Sequence, residues 1–131
     1  MNLEILTLCK AAESIGGAIT ITDATDRMYS DQPSSKLSPC CIIFRLRFNP
    51  TEQGEHTVKI EIVNEDGISL FPAIQKPIKA TIPDTLSTGV NVGIFSFREI
   101  LFPKHGEYGL NFYVDGELLN SQCLYCCPKP A

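Results

Sequence analysis

Tryptophan is absent from this chain, and histidine and methionine occur only twice each. The missing tryptophan removes the indole that fills the core of antibody-type domains, so any immunoglobulin-like reading is confined to architecture. Cations are scarce as well: 11 Lys and Arg stand against 15 Asp and Glu, a formal net charge of -4. That balance excludes a general nucleic-acid binder, which needs surplus Lys and Arg to release counterions. It offers no basic patch to an anionic membrane either. No apolar run approaches the ~20 residues that span a bilayer. The stretch from Met1 to Lys10 has no leading positive charge, Glu4 interrupts its apolar run, and no small-residue cleavage site follows. The expected setting is therefore cytoplasmic.

Motifs that carry chemistry are missing too. There is no Gly-x-Ser-x-Gly elbow and no phosphate-cradling glycine loop. Asp23 with Asp26, and Glu65 with Asp66, lack the oxygen-ligand spacing of a calcium loop. His56 and His105 have no nameable third group to orient either ring as a base. Phe95, Phe97 and Phe102 read as core rather than as a stacking platform at this net charge. The expectation is a protein that is not an enzyme and that needs no cofactor.

What is present is a repeated hairpin. Gly54-Glu55-His56-Thr57-Val58-Lys59-Ile60-Glu61-Ile62 runs into Asp66-Gly67, and Gly106-Glu107-Tyr108-Gly109-Leu110-Asn111-Phe112-Tyr113-Val114 runs into Asp115-Gly116. Each copy is a turn, a strand with one apolar face, and a second turn of the tight Asp-Gly kind. His56 aligns with Tyr108. Convergence within a sandwich is the preferred explanation of the likeness over duplication, because sandwiches repeat strands and turns at regular spacing.

Along the rest of the 131 residues the pattern is β throughout. Leu3 to Cys9 and Ala18 to Thr22 read as strands that form a hairpin across a longer connection, with a helical turn possible at Lys10 to Ser14. Ser30 to Pro39 reads as a loop. Cys41 to Phe48 places Ile42, Phe44, Leu46 and Phe48 on a core face and sends Arg45 and Arg47 to solvent, where Glu61 and Lys59 are expected opposite them. Pro72, Pro77 and Pro83 mark an edge strand or two short pieces with a bend, since proline cannot donate to a ladder. The apolar alternation shifts phase between Val90 and Phe97, and Gly93 reads as a bulge there. Residues 1–131 form one expected domain, with 127–131 a frayed tail.

Roughly seven to eight short strands without a long amphipathic helix predict an all-β, immunoglobulin-like antiparallel sandwich, with a jelly roll as the alternative. Tyr108, in a Gly-x-Tyr before a late strand, is placed as a tyrosine corner that bonds back into the preceding turn. His56 takes the same structural corner role in the other hairpin.

One resemblance covers nearly the whole chain. Leu8-Cys9-x-x-Ala12, then Gly16-Gly17 leading into Ile19 to Ala24, then Arg27 before a proline-bearing loop, then two Gly-x-aromatic (or His) strands with Asp-Gly turns, resemble a family of small bacterial proteins known only as a domain of unknown function. The family's Leu-Gly-Ala type step is Thr22-Asp23-Ala24 here. The resemblance implies a β-sandwich in a bacterial, cytoplasmic setting and supplies no activity.

Six cysteines, at 9, 40, 41, 123, 126 and 127, read as free thiols in the absence of an export signal. Cys123, Cys126 and Cys127 with Cys40 are the weak candidates for a metal or redox site, but neighbours in a strand point to opposite faces. The leading expectation is a non-enzymatic binding or structural module that meets a protein partner through loops or edge strands, with the proline-bearing segment and the loop from Ser30 to Pro39 as the expected contact regions. Self-association through an edge is part of that expectation. A cysteine-dependent site and a small-ligand binder are the alternatives.

Overall fold

The computed structural model describes residues 1–130; Ala131, the end of the expected tail, lies outside them. Twelve strands follow one another: β1 (Asn2–Cys9), β2 (Ala11–Ile15), β3 (Ala18–Thr22), β4 (Arg27–Ser30), β5 (Ser35–Leu37), β6 (Cys40–Phe48), β7 (Gly54–Val63), β8 (Ile74–Ala80), β9 (Gly89–Phe97), β10 (Ile100–Phe102), β11 (Gly106–Val114) and β12 (Glu117–Pro128). Eight of them make a sandwich, a three-stranded sheet β1-β6-β9 facing a five-stranded sheet β4-β12-β11-β7-β8. The other four form two ribbons, β2-β3 and β5-β10, and the strand count exceeds the sequence expectation because β2, β4, β5 and β10 carry no clear strand pattern. Every pairing is antiparallel except β12 with β4. That parallel pair carries β12 through Pro128, so the tail is ordered two residues further than its composition suggests.

The core lies between the sheets. Ile42, Phe44, Leu46 and Phe48 of β6, Val58, Ile60 and Ile62 of β7, and Leu110 and Phe112 of β11 are all buried. Each such side chain contributes roughly 1.5–3 kcal/mol on leaving water. Phe44 packs against Phe112 with the rings tilted by 50° and their centroids 4.9 Å apart, and its ring lies over Gly93, where an added Cβ would sit 2.2 Å from the ring. Gly93 is therefore not a bulge: it pairs with Phe44 in an unbroken β6–β9 register.

The apparent phase shift in β9 has another cause. Val92 and Ile94 point away from the main core and pack, with Ile5, Ala12, Ile19 and Ile21, around a second buried cluster of Cys9, Cys41 and Ile43. The ribbon β2-β3 lies over this outer face of the three-stranded sheet. Here the sequence reading needs correction. Residues 11–15 are a strand rather than a helical turn, closed onto β3 through Gly16-Gly17, whose φ values of 58° and 85° suit glycine. The strand β1 pairs with β6, not with β3. The expected pairing of Arg45 and Arg47 with Glu61 and Lys59 is also overturned, because β6 and β7 belong to different sheets. Glu4, across the β1–β6 pair, takes both guanidinium groups at 2.9 and 2.8 Å instead.

The two repeated strands are hydrogen-bonded neighbours. Val58 lies opposite Val114, Ile60 opposite Phe112 and Ile62 opposite Leu110. Exchanging each residue for its counterpart in the repeat maps the pair onto itself, so β7 and β11 are related by a local two-fold through Ile60 and Phe112. This symmetry brings the closing turn of each hairpin to the opening corner of the other.

Candidate functional site

The opening corners use one device twice. Tyr108 Oη donates to the Lys104 carbonyl at 2.6 Å, and His56 Nε2 lies 2.6 Å from the Glu52 carbonyl. In both, a ring reaches the carbonyl four residues upstream. The turn before His56 is a single 3₁₀ turn, Pro50–Glu52, capped by Asn49 at its start and by Glu52 in return. Glu52 also accepts from the Met1 ammonium at 2.5 Å. That ammonium and the Asn49 N–H hold the Glu52 carboxyl below its ordinary value.

His56 differs from Tyr108 in its second nitrogen. Nδ1 lies 2.6 Å from Asp115 Oδ2, while Asp115 Oδ1 accepts from the Thr57 N–H at 2.9 Å. Asp115 is in the left-handed region, φ 51°, as the first residue of the Asp-Gly turn that ends β11. Both ring nitrogens thus face acceptors, an arrangement only the doubly protonated ring satisfies. The Asp115 bond, then the Glu52 carbonyl, push the His56 pKa up against the opposing effect of burial. His56 in turn, with the Thr57 N–H, holds Asp115 low. The pair resembles a catalytic His-Asp couple but lacks its chemistry, since a base needs a free nitrogen facing a substrate.

Beside this corner is a cleft of about 420 Å³ lined by His56, Asp115, Glu52, Leu118 and Leu119 among others. It opens along β12. Tyr125 N–H bonds to the Asp26 carbonyl, on the β4 side of the strand. Alternation then turns the Cys123 and Ser121 N–H groups the same way. But β4 pairs only with Tyr125 to Pro128. From Glu117 to Cys123 that edge of β12 has no strand beside it, and all seven residues are exposed. Leu118 is 55% and Leu119 38% accessible. Asn120 Oδ1 takes the Ser121 N–H at 2.8 Å. A register shift opposite Phe112 and Tyr113 bulges the strand at Leu119.

The cysteine candidates are not brought together. Cys40 and Cys126 point into the main core, Cys123 is exposed and 3.3 Å from Glu107 Oε1, and Cys127 is half-buried. Among the described residues no three His, Cys, Asp or Glu side chains converge as metal ligands. His105 is not a merely solvated turn residue: its Nε2 lies 3.2 Å from Ser30 Oγ. The carbonyls of Gln32 and Ser34, 2.7 and 3.0 Å away, claim the serine proton, so this is no nucleophile and base. These bonds and the β5-β10 ribbon tie down the Ser30 to Pro39 segment, of which residues 35–37 are a strand where a loop was expected. The proline-bearing region provides β8, an outer strand with Pro77 opposite Thr57. Large side chains, Phe44, Phe48, Phe102 and Phe112, fill the interior where a small ligand was an alternative. Sequence reasoning missed the pairing of Cys9 with Cys41. Only the β1–β6 register, which has no local signature, reveals it.

Comparison with known proteins gives a family and no activity. The profile of a family of unknown function, DUF6941, matches residues 4–126. No curated protein matches. Among solved structures, a glycosyl hydrolase family 2 member from Bacteroides cellulosilyticus DSM 14838 is 10% identical with a TM-score of 0.38, over 67% of this chain and 12% of that one. A chain from Bacteroides fragilis that bears the name of a beta-galactosidase is 8% identical with a TM-score of 0.36, over 70% of this chain and 15% of that one. The chain thus spans 15% or less of these two solved chains, a likeness too slight to carry anything about activity.

Proposed function

The chain belongs to a family of unknown function, DUF6941, and we propose that it is a non-catalytic binding module whose working surface is the free edge of β12. The observation that carries this reading is the run Glu117 to Cys123, seven exposed residues with no strand on one side and no Lys, Arg or Pro among them. Edges left for solvent alone are ordinarily blunted by such residues. An extended strand laid along this edge gains main-chain hydrogen bonds for affinity and side-chain pockets for selection.

The occupant that fits is a second copy of the chain. Antiparallel pairing of two β12 edges about Asn120 is self-complementary. It sets the lone charge of the run, Glu117, opposite Cys123 of the other copy, so no like charges face each other. Leu118 then meets Gln122 and Leu119 meets Ser121, and the exposed leucines are covered.

Light scattering across a range of protein concentrations tests this. Wild type is expected to shift from monomer to dimer. Ser121→Pro, which removes an edge N–H that Asn120 Oδ1 takes in the single chain, leaves the main-chain bonds to β11 in place and loses only the Ser121 Oγ bond to Asn111 there, is expected to stay monomeric with an unchanged circular dichroism spectrum. A wild-type protein that remains monomeric at the highest concentration, or a Ser121→Pro variant that dimerises equally well, overturns the assignment.

A further inference from the structure

The second core contains a feature independent of the β12 edge. Cys9 and Cys41 are direct cross-strand partners in the β1–β6 register, with Sγ atoms 3.2 Å apart. Both are buried, Cys9 completely, and their neighbours are the aliphatic side chains of Ile5, Ala12, Ile19, Ile21, Ile43, Val92 and Ile94. Neither thiol has a metal-ligating neighbour or a charged partner there. Cys40, next in sequence, points through the sheet into the other core. Opposed residues of antiparallel strands have Cα atoms about 4.5–5.5 Å apart, within the span a disulfide bridges. Closing the bond contracts the sulfur separation to about 2.05 Å and turns the Cβ–S–S–Cβ dihedral to roughly ±90°. Two small apolar residues would fill this space as well, so the pairing of two thiols is the informative choice.

We propose that Cys9 and Cys41 form a reversible disulfide site, shielded by the β2-β3 ribbon and made reactive when that ribbon lifts. With the ribbon down, burial pushes the Cys9 thiol up to about 12, so little thiolate exists to react. The ribbon is the natural gate. It rests on the sheet through Ala12, Ile19 and Ile21, while its tip at Ile15 to Gly17 projects into solvent.

The oxidant is a low-molecular-weight disulfide. One protein thiolate attacks it, forms a mixed disulfide and expels one small thiolate. The partner cysteine then loses its proton, displaces the second small thiolate, and closes the Cys9–Cys41 bond. Two electrons pass to the small disulfide, and the two protons from the cysteines end on the two released thiols. The product staples β1 to β6 across 32 residues of chain.

The experiment is incubation of the whole native chain with oxidised glutathione, alkylation, and non-reducing tryptic mapping. The expected product joins residues 1–10 to residues 37–45, two hydrogens lighter than the sum of its parts, with fragmentation placing the bond on Cys41 rather than Cys40. It persists in Cys40→Ala. Ile21→Ser, which loosens the ribbon, is expected to speed its formation about tenfold. The proposal is overturned if exposed Cys123 becomes glutathionylated while no Cys9–Cys41 linkage appears. It is equally overturned if Ile21→Ser leaves the rate of linkage unchanged. The wild-type map stands whether or not a given variant folds.

Discussion

Replacing His56 with alanine removes two hydrogen bonds at the corner of β7, one to the Glu52 carbonyl and one to the Asp115 carboxylate. A neutral bond contributes about 0.5–1.5 kcal/mol and a charged one about 1.5–3. The Asp115 side chain is 51% exposed, so solvent screens much of the ionic part. The expected loss is about 1–2 kcal/mol, or roughly 4–7 °C in Tm for a chain of this size. It depends on pH in a defined way. Folded His56 holds its proton more tightly than its ordinary 6.5, so its contribution is whole below pH 6.5 and fades as pH rises through the folded value. Folded Asp115 lies below its ordinary 3.8, so its contribution is present above pH 3.8 and is lost as pH falls through the folded value. The pair therefore stabilises fully between pH 3.8 and 6.5. Glu52 and Glu117, the other carboxylates around the cleft, and the Met1 ammonium complete the set of charges near the ring. Urea unfolding of wild type, His56→Ala and Asp115→Asn at pH 5.5 and 8.5 measures the effect, and NMR titration of the ring gives its pKa directly. His56→Tyr is the informative control. It installs the residue that Tyr108 provides in the other hairpin, and is expected to keep the Glu52 bond while abolishing the pH dependence. A His56 pKa at or below 6.5, or an identical cost of His56→Ala at both pH values, refutes the reasoning.

Three further outcomes are expected. Tyr108→Phe deletes the Oη bond to Lys104 and should cost about 1 kcal/mol by chemical denaturation, with no change in the sheet signal. Gly93→Ala drives a methyl to 2.2 Å from Phe44 Cε1 and should cost at least about 1–3 kcal/mol, partly recovered by Phe44→Leu in the same chain. Ile43→Ala empties the centre of the second core and should cost about 2–5 kcal/mol, while raising the alkylation rate of Cys9 and Cys41 far more than that of Cys126.

The parts of the fold legible in the sequence are those where one face is dry and the other wet. The alternation of β7 and β11 assigns Ile60 and Phe112 to the core because their neighbours in sequence are polar or amphipathic, and in β6 Arg45 and Arg47 do the same for Leu46, although Ile43 beside Phe44 is itself buried on the other face. The corner role of Tyr108 is readable from Gly-x-Tyr, a local signal. Legibility fails where both faces are covered. In β9, Val92 and Ile94 are as apolar as Phe95 because a ribbon lies over them, and period-two reasoning reads that as a slipped phase. Pairing partners are not local either. Glu4 sits 41 residues from Arg45, and nothing in its own surroundings announces that it will hold two arginines. His56 was legible as a corner residue from its alignment with Tyr108. Its second partner, Asp115, comes from the far end of the other hairpin and follows only from the β7–β11 register.

The parallel pairing of β12 with β4 bears on how the chain acquires its structure. Lys129 reaches Asp31 across 98 residues, and β4 has no other strand to lie against in its sheet. Thr25 can bridge to Leu8 early, but the strand β4 itself, Arg27–Ser30, must wait for a partner until β12 has been made and has folded onto β11. Closing so long a loop is entropically costly and slow. During that interval Met28 and the apolar edge of Leu124 and Cys126 are exposed together. The seam that finally seals the sandwich is thus also the last to form, and aggregation during refolding should begin there.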